Sequence, residues 1–294
     1  MQVALVLGAA AALLSAVVGL FTVVRGQSFA GHALTDVAAA GGSGALLVGV
    51  DPVYGFVGFG LFAAGVMDLI GVRRLRGRDL ATGTVLGAAT GLTALILYFD
   101  TTSQATTGAT QQILFGSIFT VNASVLPLVI VLSLVSLVVV AVLYRPLLLS
   151  TVSTDIARAR GVPERLVGVV FLGTVSVAVG LSALTIGAIL STALLVGPAA
   201  TALRLTTRMA RALAAAAAIG IGSCWVGVLL AYDSYYWGSS HHGVPVSFFI
   251  VMLVFAAYLV SGRLDRARRR APAPTASGRA ERLPEPAAGV RGSS

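Results

Sequence analysis

Eight stretches of this chain are almost free of charge and long enough to cross a lipid bilayer: residues 3–24, 28–50, 53–72, 80–99, 113–144, 166–203, 212–232 and 244–262. A hydrocarbon core of ~30 Å takes about 20 apolar residues per helix. Within it each backbone N–H and C=O must find a partner inside the protein, so a chain of such runs folds as a bundle of helices. The run at 166–203 has room for two short spans, meeting near Gly180-Leu181-Ser182. The run at 113–144 is long for one span, and a half-helix dipping into the membrane fits its start. The expectation is an all-α polytopic integral membrane protein with eight or nine segments. Composition agrees: 11% of the residues are charged, against roughly 25% in soluble domains. The first run lacks the basic start of a cleaved signal peptide and reads as a retained span.

Charge then orients the bundle. All 20 basic residues are arginine, and they fall in alternate connections. Arg25 follows the first run, and Arg73, Arg74, Arg76 and Arg78 follow the third. Arg145, Arg158, Arg160 and Arg165 occupy the mid-chain loop, Arg204, Arg208 and Arg211 a later one, and the rest lie at or beyond Arg263. The connections around Asp51-Pro52, from Asp100 to Gln112 and from Asp233 to His242 have none. By the positive-inside rule the arginine-bearing loops and the C-terminus are cytoplasmic, and with nine segments the N-terminus is outside. A net charge of +9 would suggest nucleic acid in a soluble protein. Distributed in this way it suggests lipid instead, and no nucleic-acid partner is expected. Residues 1–262 form the membrane domain. Residues 263–294, rich in Arg, Pro and Ala, are expected to be a disordered cytoplasmic tail whose basic start lies against anionic headgroups.

The segment Ser28 to Gly49 is apolar and small, yet carries His32 and Asp36 one helical turn apart. Residues at i and i+4 share a helix face. Ionisable groups at membrane depth are costly and face protein or water rather than lipid. The pair reads either as ligands for a divalent metal or as a self-satisfied pair near a membrane surface. Glycines cluster at Gly41-Gly42-Ser43-Gly44, Gly55 to Gly60, Gly87 with Gly91, and Gly220 with Gly222, where close helix packing explains them. In the loop from Arg145 to Arg165, Thr154 or Asp155 can start a short helix and Gly161 can end it. Such an element suits docking on a soluble motor, or serves as a plain connector. In the outer loop, Asp233, His241 and His242 offer metal capture, while Tyr235, Tyr236 and Trp237 suit a membrane interface or a surface that receives a partner. Asp68 reads as a partner of Arg73 and Arg74. Cys224, the single cysteine, excludes an internal disulfide. Without any lysine there is no G-x-x-x-x-G-K-[ST] phosphate loop, so the chain is not its own ATPase. No arrangement for an intramembrane hydrolase is present either.

Three segments resemble the membrane permease subunit of metal-ion (zinc, manganese or iron) ABC importers. SFAGHALTDVAAAGG is similar to the family's pattern of small residues around an Asp and a His. STVSTDIARARGVP is similar to its cytoplasmic S-x-D-x-x-x-A-x-x-x-G coupling segment. LTIGAILSTALLVGPAATALRLTTRM is similar to its G-x-L-L-x-x-A-L-L-x-x-P-A-A-T-A run, which here includes Gly187, Pro198, Ala199, Ala200 and Thr201. Leu114 to Gly116 and Gly243 to Ser247 add weaker marks. The order His32 then Asp36 is the reverse of the family's usual Asp then His. The resemblance implies a homodimer of permeases around a translocation path, with His32 and Asp36 contacting a transported divalent metal and no metal stably bound. It implies an ABC ATPase subunit that uses ATP and docks at residues 150–165, through Asp155, Ala157, Ala159 and Gly161. It also implies an extracytoplasmic metal-binding protein and a place in the bacterial plasma membrane. The rival readings are an ABC permease for a chelate such as a siderophore or corrinoid, an ion-coupled secondary transporter, and a membrane scaffold.

Overall fold

A computed structural model describes residues 2–70, 78–103, 108–116, 118–119, 121–236 and 243–270. The described residues are helical, with no strand. In chain order the helices are α1 (Gln2–Val24), α2 (Ser28–Leu47), α3 (Pro52–Ile70), α4 (Arg78–Ser103), the short α5 (Ala109–Phe115), α6 (Leu126–Val152), the short α7 (Thr154–Ala159), α8 (Glu164–Ile186), α9 (Ala188–Leu205), α10 (Met209–Ser234) and α11 (Val246–Arg270). A single 3-10 turn, Ala123–Val125, leads into α6.

Nine of these helices are long. Eight are apolar enough to cross a membrane on hydropathy alone; α2 is the exception. Its glycines, His32 and Asp36 lower its hydropathy, and packing compensates. One side of α2 is built from Ala30, Gly31, Ala33, Leu34 and Thr35, all buried. At Gly41 the helix meets α3 so closely that an added Cβ would lie 2.3 Å from the Gly55 carbonyl oxygen. Here the glycine cluster is a packing device, as expected. Gly87, Gly91 and Gly222 are different, since a Cβ at each would meet open space.

At the centre of the bundle stands α8, which buries Phe171, Val175, Ala178, Leu181 and Ile186 against α1, α2, α3 and α6. The expected boundary near Gly180-Leu181-Ser182 is not where the run divides. Gly180 stays inside α8, packed beside the Phe56 backbone of α3, and Ser182 is hydrogen-bonded to Ser15 of α1. The division falls at Gly187, at φ +87°. The half-helix anticipated before α6 is α5, and it stops at Gly116, at φ +79°. These two breaks are one contact. A Cβ on Gly187 would lie 2.2 Å from the Leu114 carbonyl oxygen, and one on Gly116 2.6 Å from the Gly187 nitrogen. Only glycine allows both the left-handed backbone and the approach.

Other expectations shift as well. Asp100, read as the start of an outer loop, is instead 2% exposed within the last turns of α4, and its Oδ2 has no hydrogen-bond partner among the described residues. Asp68 lies 3.6 Å from Arg165 of α8; of its two expected partners, Arg73 and Arg74 lie outside the described residues. Helix α11 runs past the expected membrane boundary at 262 as far as Arg270. Of the tail expected to be disordered over 263–294, residues 263–270 thus belong to α11, and 271–294 lie outside the described residues.

The Gly116–Gly187 contact makes a clear prediction. Gly187→Ala forces an L side chain into left-handed backbone and against the Leu114 carbonyl, a cost of about 2 kcal/mol or more. Thermal unfolding of the full chain in detergent is expected to show a lowered Tm, while Gly222→Ala leaves it unchanged or raised.

Candidate functional site

The buried side of α2 consists of small residues, so the helix sits deep in the bundle while its other side stays open. Along that open side lie Phe29, His32 and Asp36, with Phe29 exposed and the two ionisable residues half-buried. The two share a helix but not a partner. His32 Nδ1 is 2.9 Å from Thr192 Oγ1 on α9. On the opposite flank, Thr90 of α4 donates its hydroxyl to Asp36 Oδ2 at 2.6 Å. The Thr93 hydroxyl reaches the Asp36 carbonyl oxygen at 3.4 Å. No ion pair joins His32 to Asp36 among the described residues, so the self-satisfied reading is replaced by two cross-helix hydroxyl contacts. A second bond pins α9 to α2, where Ser191 donates to Thr35 Oγ1 at 3.3 Å. Thr35 passes its own proton to the Gly31 carbonyl, which leaves its oxygen free to accept.

His32 lines a cleft of about 590 Å³ between α2, α9 and α11, walled by Phe29, Thr192, Val196, Ala200, Phe255 and Tyr258. At one end Tyr258 is held by Arg204, whose guanidinium lies over the ring at 3.8 Å and donates to the phenol oxygen. Of the family-motif residues, Gly187 starts α9 and Ala200 lines this cleft, whereas Pro198, Ala199 and Thr201 are buried on the other sides of α9. Ala199 belongs to a small cluster with Ala16, Leu20, Ala202, Ala212 and Ala216. On the other side of α2 a smaller cavity of about 240 Å³ is wholly apolar, with Phe59, Phe62 and Leu92 among its walls. Among the described residues no three His, Cys, Asp or Glu side chains come together as a metal cluster.

The outer candidates lie elsewhere in the molecule. Asp233 is exposed near the end of α10. His241 and His242 lie outside the described residues. The two arginine-free connections do converge: Gln111 and Gln112 of α5 face Tyr232, Tyr235 and Tyr236 of the α10 end across a cavity of about 730 Å³. On the arginine-rich side, Ala157 is fully buried while Asp155, Ala159 and Gly161 are exposed. The cap of α7 is Ser153, whose side chain accepts from the Ile156 N–H, so the helix starts at Thr154 and its cap lies just before the two expected residues, Thr154 and Asp155. Gly161 ends the segment at φ +73°, and Arg158 pairs with Glu164 at 3.1 Å. Sequence reasoning missed Thr90 and Thr192 altogether. Their one signal was a hydroxyl within an apolar run, which most often satisfies itself.

The helical order, the interrupted α5, the α8–α9 break and the half-buried polar stripe define a polytopic membrane permease. A profile of the ABC 3 transport family matches residues 1–261. The chain belongs to that family, and the resemblance to metal-ion ABC importer permeases drawn from the three motifs holds. It is 29% identical over 233 residues to a manganese transport system membrane protein, MntC, of Listeria innocua, covering 79% of this chain and 81% of that protein. It is 30% identical over 246 residues to the chelated iron transport system membrane protein YfeC of Yersinia pestis, covering 83% and 80%. In fold it is similar to the structure of PsaBC from Streptococcus pneumoniae in complex with Fab, with a TM-score of 0.71, 23% identity, and coverage of 88% and 90%.

The cleft is open to test by chemical labelling. In a Cys224→Ser background, Ala200→Cys is expected to react with maleimide in the purified protein. Ala199→Cys, at a position with no exposed area, is expected to remain unlabelled by mass spectrometry.

Proposed function

We propose that the chain is the membrane subunit of an ATP-driven importer and passes a divalent transition-metal ion, manganese, iron or zinc, along the open side of α2. The observation that carries this reading is the pairing of His32 and Asp36 with Thr192 and Thr90 on one half-buried stripe in an otherwise apolar bundle. An imidazole nitrogen and a carboxylate oxygen suit all three ions. Two donors on one helix bind weakly enough to release an ion in transit, and so no metal is held stably. The relatives named for manganese and chelated-iron transport support this cargo class.

Two copies of the chain face each other across the path in the bacterial cytoplasmic membrane. The alternate arginines place the C-terminus and α7 in the cytoplasm. A separate ATPase subunit docks at α7, where Asp155, Ile156, Ala159 and Gly161 are exposed. Ala157 keys α7 onto α6 and α8, so motion of the motor passes to α8 and from there to α2, against which it packs. Access to His32 and Asp36 then alternates between the two sides. The cavity between Gln112 and Tyr236 opens on the arginine-free side, where an extracytoplasmic metal-binding protein delivers its cargo.

Accumulation of manganese, iron and zinc, each supplied singly as the free ion to cells with and without this gene, tests the reading. Loss of one metal's uptake without the gene is expected, with recovery by the intact chain. His32→Ala with Asp36→Ala is expected to reach the membrane in normal amount and to lower uptake to that of cells lacking the gene. Normal uptake by this double variant would remove the pair from the mechanism. Uptake of a metal only as an organic chelate would replace the free ion as cargo.

A further inference from the structure

Threonines in this bundle follow one habit. Thr22, Thr35, Thr93, Thr174 and Thr201 each donate the hydroxyl proton to the carbonyl four residues back on their own helix. Without water, that back-bond is the nearest way to satisfy the proton. Thr192 departs from the habit. Among the described residues its hydroxyl makes no back-bond, and it is directed across to His32 Nδ1 at 2.9 Å.

Three features of α9 hold it there. Gly187 starts the helix, and fixes which way its first turns face. Ser191, the residue before it, has the Ala188 carbonyl at 3.1 Å and Thr35 Oγ1 of α2 at 3.3 Å within reach of its one hydroxyl proton, which ties this turn of α9 to α2. Thr192 and His32 both line the 590 Å³ cleft, so their contact is made at its wall.

We propose that Thr192 is a positioning residue for the transported cation: it holds His32 by Nδ1 and leaves Nε2 as the nitrogen offered to a divalent metal ion. The proposal rests on the reading that His32 contacts cargo. A ring that ligates through Nε2 must carry its proton on Nδ1, and Thr192 Oγ1 then accepts it. When the ring instead carries its proton on Nε2, the same hydroxyl donates to Nδ1. A hydroxyl serves both tautomers, so the ring keeps one orientation while the ion arrives and leaves. Valine has the same branched shape and can do none of this.

The test measures initial uptake of manganese(II), iron(II) and zinc(II), each varied in concentration. Cells carry the complete transport system, and uptake is normalised to the amount of the chain in the membrane. Thr192→Val is expected to raise the half-saturating concentration about tenfold or more, with a maximal rate within about twofold of the original. Thr192→Ser, which restores the hydroxyl, is expected to recover the original value. In a His32→Ala background Thr192→Val is expected to add no further loss, because its effect passes through the imidazole. Thr192→Ala repeats the comparison should the valine variant not reach the membrane. Unchanged half-saturation in Thr192→Val beside a defect in His32→Ala would overturn the positioning role and leave His32 as a cargo contact. A loss that Thr192→Ser does not recover, or one that adds to His32→Ala, would also overturn it. Normal uptake by His32→Ala would overturn the cargo reading itself, and the role of Thr192 with it.

Discussion

The contact between Gly116 and Gly187 is the constraint on which the functional half of the molecule depends. In hydrocarbon a chain cannot stop and turn unless its freed backbone groups meet protein. Two helix ends, those of α5 and α8, solve this by meeting each other backbone to backbone, each with a left-handed glycine. The meeting fixes where α9 begins. That in turn sets Ser191 against Thr35 and Thr192 against His32. An alteration of one methyl group in size at either glycine would reach the polar stripe on α2 through this chain of contacts.

The polar groups of the stripe are held by an economy of hydroxyl protons. Most threonines of the bundle close on the carbonyl one turn back on their own helix. At the stripe two reach across as well, from helices on opposite sides of α2: Thr90, whose hydroxyl has both the Leu86 carbonyl and Asp36 Oδ2 within reach, and Thr192, which meets His32. A half-buried carboxylate with no donor beside it would be expensive at this depth. One short hydroxyl contact offsets part of that cost without supplying a countercharge. The carboxylate thus remains available to a cation. An arginine or lysine in the place of Thr90 would pair with Asp36 permanently and repel any cation that approached the stripe.

Mechanical coupling follows from how the helices are buried. Helix α7 is anchored by Ala157 alone among its described side chains, and presents the rest of its surface outward. Its neighbours α6 and α8 differ: much of α6 is open, while α8 is enclosed along nearly its whole length. In the proposed mechanism a push on α7 reaches both α6 and α8, and α8 is the helix that touches α1, α2, α3 and α9 together. Close packing of small residues makes such a bundle move as blocks rather than deform smoothly, which is what a two-sided transporter requires.

Much of this was legible in the sequence, because hydrophobic length, the spacing of arginine and the family motifs are one-dimensional signals. They determine a bundle of eight or nine long helices with a short interruption before α6, a short capped helix at α7 and the placing of His32 and Asp36 on one helix. They also place the chain in its family. Tertiary structure decided the rest. Gly180 and Gly187 look alike in sequence, and only the approach of Leu114 makes Gly187 the break. Asp100 stood beside a run of Thr and Gln, yet α4 carries it inside. Ser153 capped α7 in place of its neighbours because capping is set by where the first turn closes. The partners of His32 and Asp36 lie 160 and 54 residues away in the chain. No local pattern distinguishes a threonine that bonds its own helix from one that turns to another, since the choice depends on which neighbour the fold brings within reach.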